Sequence, residues 1–179
     1  VWGATETPPI AACLHADEAL RKAGTTGRAA RHCDLRIADV AGHETPIGSA
    51  GEVWVRGANV MNGYWLDPEA SARALADGWF RSGDLGHLDE EGYLTIDGRL
   101  KDMIISGGEN VSPASVESVL PDCPDIADAA VIGRSDSPRC EVVVAAVASQ
   151  PGPTLQPRRA PSPFRRRLAR LPPPYRGRR

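Results

Sequence analysis

Lysine is nearly missing from this chain: Lys22 and Lys101 stand against 19 arginines, and no lysine follows Lys101. Taken alone, that bias marks a GC-rich coding sequence and carries no chemistry. Pairs of the CxxC type are missing as well. Cys13, Cys33, Cys123 and Cys140 are widely spaced, which indicates neither a zinc site nor a disulfide framework and reads as free thiols of a reducing compartment. No charged stretch followed by an apolar run opens the chain, and no apolar run approaches the roughly 20 residues that a bilayer span requires. The expectation is a cytoplasmic, soluble protein without a membrane span. Position 1 is Val rather than Met, as though the chain were cut from something longer.

Acidic residues are absent from one end. Residues 158–179 hold nine arginines and no acid, so the net charge of −2 conceals a body with 12 basic and 23 acidic residues. Such a basic stretch permits nonspecific binding to nucleic acid or anionic lipid. Few aromatics interleave with its arginines, only Phe164 and Tyr175, which argues against a specific nucleic-acid partner.

What is present fits one ordinary domain or two small ones, with 41% hydrophobic residues, 16 prolines and 18 glycines in 179 residues. The pattern predicts a strand at Val1 ending in a polar turn before Pro8-Pro9, helical turns within Leu14–Ala23, and strands over Leu35–Val40 and Glu52–Gly57. Pro68 beside acids predicts a helix over Ala70–Ala76. Ser82-Gly83-Asp84-Leu85 reads as a glycine-rich turn, followed by strands at Tyr93–Ile96 and Met103–Ile105. Ser112 caps a predicted helix over Pro113–Leu120, and strands over Ile126–Ile132 and Glu141–Val147 flank a turn containing Gly133, Asp136 and Pro138. Beyond Gln150 the Arg/Pro-rich composition predicts disorder, with a short helix at Phe164–Leu171 as the alternative.

Four motifs occur in order: Trp2-Gly3-Ala4-Thr5-Glu6, Gly51-Glu52-Val53-Trp54-Val55-Arg56-Gly57 with Gly63-Tyr64, Phe80-Arg81-Ser82-Gly83-Asp84-Leu85, and Gly98-Arg99-Leu100-Lys101-Asp102. Together they resemble the adenylate-forming (AMP-binding) enzyme superfamily over Val1 to about Val147. The run Gly107-Gly108-Glu109-Asn110-Val111 is similar to the acyl-CoA synthetase branch, fatty acid–CoA ligases in particular. The resemblance implies an α+β fold. Residues 1–100 would be the β-rich end of the large domain, residues 101–148 an incomplete small mobile domain, and residues 149–179 a tail that is disordered or frameshifted.

The implied reaction has two halves. A carboxylic acid, such as a fatty acid, and ATP with Mg²⁺ form an acyl-adenylate and pyrophosphate; CoA then takes the acyl group and AMP leaves. By the same resemblance Thr5 and Glu6 are the catalytic pair, with Thr5 at the α-phosphate and Glu6 holding Mg²⁺. Trp2 and Gly3 would lie against the adenine or the acyl pocket, Asp84 would accept from both ribose hydroxyls, Ile96 would pack on adenosine, and Arg99 would meet ribose or phosphate. Lys101 would be a hinge, and Gly107 and Gly108 would line the thiol path. For each, an ordinary structural role remains: a solvated Thr-Glu loop, a core Ile96, an Arg99 paired with Asp97 or Asp102, an exposed linker Lys101.

The sequence departs from that family in two places. The phosphate loop with its lysine belongs upstream of Trp2 in the family, and the family's late lysine has no counterpart after Lys101. The chain is therefore expected to be a fragment inactive alone, or else a catalytically dead nucleotide-binding remnant or binding module.

Overall fold

The computed structural model describes residues 1–123, 126–137 and 140–149. Two compact units divide between Leu100 and Lys101. The fold class is α+β and strongly strand-rich.

The first unit is organised by β3 (Cys33–Ala38), β4 (Gly51–Gly57), β5 (Leu75–Ala76), β6 (Trp79–Leu88) and β7 (Leu94–Arg99), all paired antiparallel. A small ribbon of β1 (Ala12–Cys13) and β2 (Arg28–Ala29) stands apart from this sheet. Strand β6 is the pivot. Along one side it pairs with β4; along the other it pairs first with β5, at Trp79 and Phe80, and then with β7, from Asp84 to Leu88. Residues 81–83 lie at the changeover.

Alternation sorts the side chains of this sheet onto two faces. Ile37, Val53, Val55 and Phe80 join Trp2, Ala11, Ala12 and Leu94 in the buried core, each large apolar side chain contributing about 1.5–3 kcal/mol by leaving water. On the opposite face Arg36, Trp54 and Arg81 are adjacent in register. The Arg36 guanidinium lies 4.6 Å from the ring centroids of both Trp54 and Trp79, and Arg81 covers Trp54 at 4.6 Å. This cation–π layer explains how Trp54 is 97% buried on the outer face of a sheet: charged side chains roof it.

Helix α1 (Pro68–Ala74) starts as the sequence predicts, with the Asp67 carboxylate accepting the Ala70 N–H at 2.9 Å. The Leu14–Ala23 segment forms only a 3₁₀ turn at Ala16–Glu18. Side chains fix it instead. Tyr93, fully buried, has Arg21, Lys22 and Arg28 over its ring at 5.4, 4.5 and 4.4 Å, and its phenol donates to Glu18.

The second unit holds a four-stranded sheet in the order β10 (Ile126–Asp136), β11 (Cys140–Ser149), β8 (Ile104–Ser106) and β9 (Glu109–Val111). Helix α2 (Pro113–Glu117) and a 3₁₀ turn at Leu120–Asp122 place Val116 and Leu120 against Ile104 and Val131. Ser112 holds the N-cap position, but its side chain makes no capping bond. Gly133, expected in a turn, is an interior residue of β10 opposite Val143. A side chain there would meet Glu141 Oε1 at 2.5 Å. The expectations for Pro138 and for the Arg/Pro stretch lie outside the described residues.

Candidate functional site

Asp84 is the buried acid of the first unit, 8% exposed. The sequence predicts a turn there; the structure places it inside β6, at an irregularity in the pairing with β4. Glu52 faces Leu85 while Trp54 faces Arg81, so Ser82, Gly83 and Asp84 oppose Val53 alone. Three hydrogen bonds hold this bulge. Ser82 Oγ donates to the Val53 carbonyl at 2.6 Å and accepts the Asp84 N–H at 3.0 Å, and Glu52 Oε1 accepts the Gly83 N–H at 3.0 Å. Gly83 at φ +72° takes the left-handed conformation that the bulge requires. Glu52 is itself fixed, its Oε2 accepting from Trp54 Nε1 at 2.8 Å.

The two oxygens of Asp84 differ. Oδ2 accepts from the indole Nε1 of Trp2 at 2.8 Å. Oδ1 lies 3.0 Å from Arg99 Nε, close enough for an ion pair but at an angle that makes no hydrogen bond, so this buried oxygen accepts none. Asp84 and Arg99 are cross-strand partners in the β6–β7 register, with an irregularity that leaves Asp97 unopposed between Gly98 and Ile96. Arg99 is thus the ion-pair partner of Asp84. Ile96, half-buried and opposite Gly86, packs against the core cluster that contains Trp2. A buried carboxylate with an unfilled acceptor beside a guanidinium suits a neutral donor pair such as a vicinal diol.

Thr5 and Glu6 are the central residues of a turn closed by the Thr7 N–H on the Ala4 carbonyl at 3.0 Å and by Thr7 Oγ1 accepting from the Ala4 N–H at 3.0 Å. Trp2, at the start of the same segment, is anchored by main-chain bonds to Ala11 and Ala12. Loop 57–65 completes the surroundings. The Met61 N–H donates to the Glu6 carbonyl at 2.9 Å, and the Tyr64 phenol donates to Glu6 Oε1 at 2.7 Å. That bond, with some burial, pushes the Tyr64 hydroxyl up to about 12. Gly3 is exposed, and a side chain there would press on the Ile10 backbone at 3.1 Å.

Among the described residues no cluster of three or more His, Cys, Asp or Glu could hold a metal ion, and no helix is long and apolar enough to cross a membrane. Glu6 nonetheless fits Mg²⁺, which keeps several waters and takes only one or two carboxylates when substrate phosphates supply the other oxygens.

The remaining candidates lie elsewhere. Lys101 is exposed in a 3₁₀ turn over Leu100–Asp102, at the first position of the second unit. Gly107 and Gly108 form the two-residue turn of the β8–β9 hairpin, at φ +61° and +85°, with Ser106 opposite Glu109. A side chain at either would meet nothing within 4 Å, so within this unit the turn conformation and not space calls for glycine. Trp2, Asp84, Arg99 and Ile96 are thus brought together, with Thr5 and Glu6 on the turn that follows Trp2. Glu52, Ser82 and Tyr64 fall within the family motifs, but the sequence assigns them no role at the site. A half-buried acid inside an otherwise apolar strand was the available sign for Glu52.

Residues 1–65 match the family model of the AMP-binding enzymes, and residues 115–171 match that of the AMP-binding enzyme C-terminal domain, running beyond the expected limit at Val147. An indoleacetate–CoA ligase of Aromatoleum aromaticum is 57% identical over 155 residues, 87% of this chain and 30% of its own. A long-chain fatty-acid–CoA ligase of Mycobacterium tuberculosis is 43% identical over 83% of this chain and 29% of its own. The structure of the o-succinylbenzoate CoA synthetase of Bacillus subtilis in complex with its acyl-adenylate intermediate superposes with a TM-score of 0.77 at 36% identity, covering 85% of this chain and 31% of that one. The same synthetase has been solved with ATP and magnesium ion, at a TM-score of 0.73 and 38% identity over 81% of this chain and 30% of that one. This chain therefore spans about three-tenths of the length of these relatives.

Proposed function

The chain belongs to the AMP-binding enzymes, and from that premise we propose that it forms the nucleoside-holding part of an ATP-dependent acid–CoA ligase. Asp84 would accept from the ribose hydroxyls, Oδ1 taking a new donor while Trp2 keeps Oδ2 in place. Arg99 would balance the carboxylate and reach ribose or phosphate. Ile96 would cover the adenosine. Thr5 would approach the α-phosphate, and Glu6 would hold Mg²⁺, which supplies charge neutralisation at the phosphate oxygens when bound.

The second substrate in this reading is a carboxylic acid and the acyl acceptor is CoA. Relatives named for indoleacetate and for long-chain fatty acids support the acid class, and the fatty acid of the sequence reading is one member of it. Domain motion about Lys101 and a thiol path beside Gly107 and Gly108 belong to the same proposal. So does a soluble cytoplasmic setting. By itself the chain, about three-tenths of the length of these relatives, is expected to bind nucleotide without forming acyl-CoA above background.

The observation that carries the proposal is the buried Asp84 carboxylate with one oxygen accepting no hydrogen bond. Calorimetric titration with AMP and with 2′,3′-dideoxy-AMP tests it. AMP is expected to bind about tenfold or more tighter, as loss of hydrogen bonds to a charged group implies, and Asp84→Ala should erase the difference. Equal affinity for the two nucleotides would overturn the assignment.

A further inference from the structure

Tyr64 is held at both ends. Its main-chain N–H donates to Ser71 Oγ at 2.8 Å, and Ser71 in turn donates to the Asp67 carbonyl at 2.7 Å, in the first turn of α1. Its phenol reaches Glu6 Oε1 at 2.7 Å across 58 residues of sequence. Gly63, at φ +148°, sits where a side chain would meet Ser71 Oγ at 3.0 Å. Glu6 is likewise held twice, at its carbonyl by the Met61 N–H and at its carboxylate by Tyr64. Helix α1, loop 57–65 and the Thr5-Glu6 turn thus form one mechanical chain ending on a single carboxylate oxygen.

With Oε1 engaged by the phenol, Oε2 is the oxygen left for a cation. One-oxygen coordination suits Mg²⁺, which demands near-octahedral geometry at about 2.0–2.1 Å; Ca²⁺ readily takes both oxygens of a carboxylate at about 2.3–2.6 Å. We propose that Tyr64 is a positioning residue that fixes the Glu6 carboxylate in a one-oxygen mode and so selects Mg²⁺ over larger divalent cations. The inference rests on the reading of Glu6 as the cation-holding acid. It gives the Gly63-Tyr64 pair a task that fold stability does not require, since Tyr64 is 39% exposed and lies outside the core cluster.

The test measures nucleotide affinity by calorimetry for the chain and for Tyr64→Phe, using metal-free AMP, ATP with Mg²⁺ and ATP with Ca²⁺. Tyr64→Phe is expected to leave AMP affinity within about twofold while lowering the affinity for ATP with Mg²⁺ by about tenfold, the loss typical of removing an outer partner of a metal ligand. The preference for Mg²⁺ over Ca²⁺ should shrink with it. Ser71→Ala, which loosens Tyr64 without touching Glu6, should move both readouts the same way by less. An unchanged Mg²⁺ to Ca²⁺ ratio in Tyr64→Phe overturns the inference and leaves the ribose assignment standing. Loss of metal-free AMP binding would instead assign Tyr64 to the fold and overturn the inference too. If the unaltered chain binds AMP but gains no affinity from metal, Glu6 does not hold the cation and the inference falls; if it does not bind AMP at all, the nucleotide reading falls as well.

Discussion

The indole N–H of Trp2 donates to Asp84 Oδ2 at 2.8 Å across 82 residues of sequence. One end of the chain's first segment is thereby tied to the acid at the centre of β6. Trp2→Phe keeps the apolar ring and removes the donor, leaving a buried carboxylate oxygen without its partner. Urea denaturation followed by circular dichroism should show a loss of about 1.5–3 kcal/mol, the range for hydrogen bonds to charged groups. A loss well under 0.5 kcal/mol would mean that water replaces the indole.

The bulge that carries Asp84 depends on a left-handed residue. No atom lies within 4 Å of a side chain built at Gly83, so Gly83→Ala should cost about 1–2 kcal/mol from backbone conformation alone. Gly83→Asn should recover part of that loss, because Asn tolerates this region through local hydrogen bonding. Equal costs for the two variants would show that crowding matters after all.

How much of this could be read from the sequence follows from which contacts are local. The strand at Glu52–Gly57 and the start of α1 at Asp67-Pro68 are written in alternation and capping, and both appear within a residue or two of where they are predicted. In sequence the Asp84 segment reads as a turn because Gly83 signals one. It is a strand because Glu52 and Ser82 bind the bulge into the sheet, and Glu52 lies 31 residues from the glycine whose N–H it accepts. The partners of Trp2 and Tyr64 lie 82 and 58 residues away, so no local pattern could announce them. The family motifs point to Asp84 and Arg99 as separate candidates, and their direct ion pair follows from the β6–β7 register.

The β8–β9 turn separates two explanations for a glycine pair. Gly107→Asn should leave the hairpin intact, since Asn-Gly favours the same two-residue turn. Gly108→Val should raise amide exchange at the paired strand ends, Ser106 and Glu109, by about tenfold or more, because a β-branched residue opposes the left-handed conformation. If a thiol arm passes this turn, Gly107→Asn will weaken CoA binding while exchange stays unchanged. Unchanged CoA affinity would leave the glycines with a turn-forming role alone.

The cluster beneath Tyr93 should make the first unit sensitive to acid. Hydrogen bonds from Lys22 and then Arg21 hold the Glu91 carboxyl below its ordinary value. For Asp89 burial acts in the opposite direction, but hydrogen bonds from Lys22 and from the Tyr93 and Glu91 amides outweigh it and keep this group low as well. Depressed carboxylates add stability that is complete above their unfolded values of about 4 and is lost as pH falls through the folded ones. Lys22, raised by its bonds to Asp89 and then Glu91, adds stability below about 10.4 that disappears as pH rises through its folded value. Lys22→Met should therefore lower the thermal midpoint at neutral pH and flatten its decline between about pH 5 and pH 2. A parallel decline in both proteins would place the acid sensitivity elsewhere.

The four tryptophans, Trp2, Trp54, Trp65 and Trp79, all precede the division at Leu100. Indole emission is consequently a private signal of the first unit. Its sources differ in kind: Trp54 lies under guanidinium groups, Trp2 donates to the candidate ribose acid, and Trp65 is 88% exposed to solvent. Exciting at the red edge of the indole band would report the melting of one unit while the other remains optically dark. A quencher confined to water would silence Trp65 first. The residual emission would then follow the buried indoles, including the one that touches Asp84.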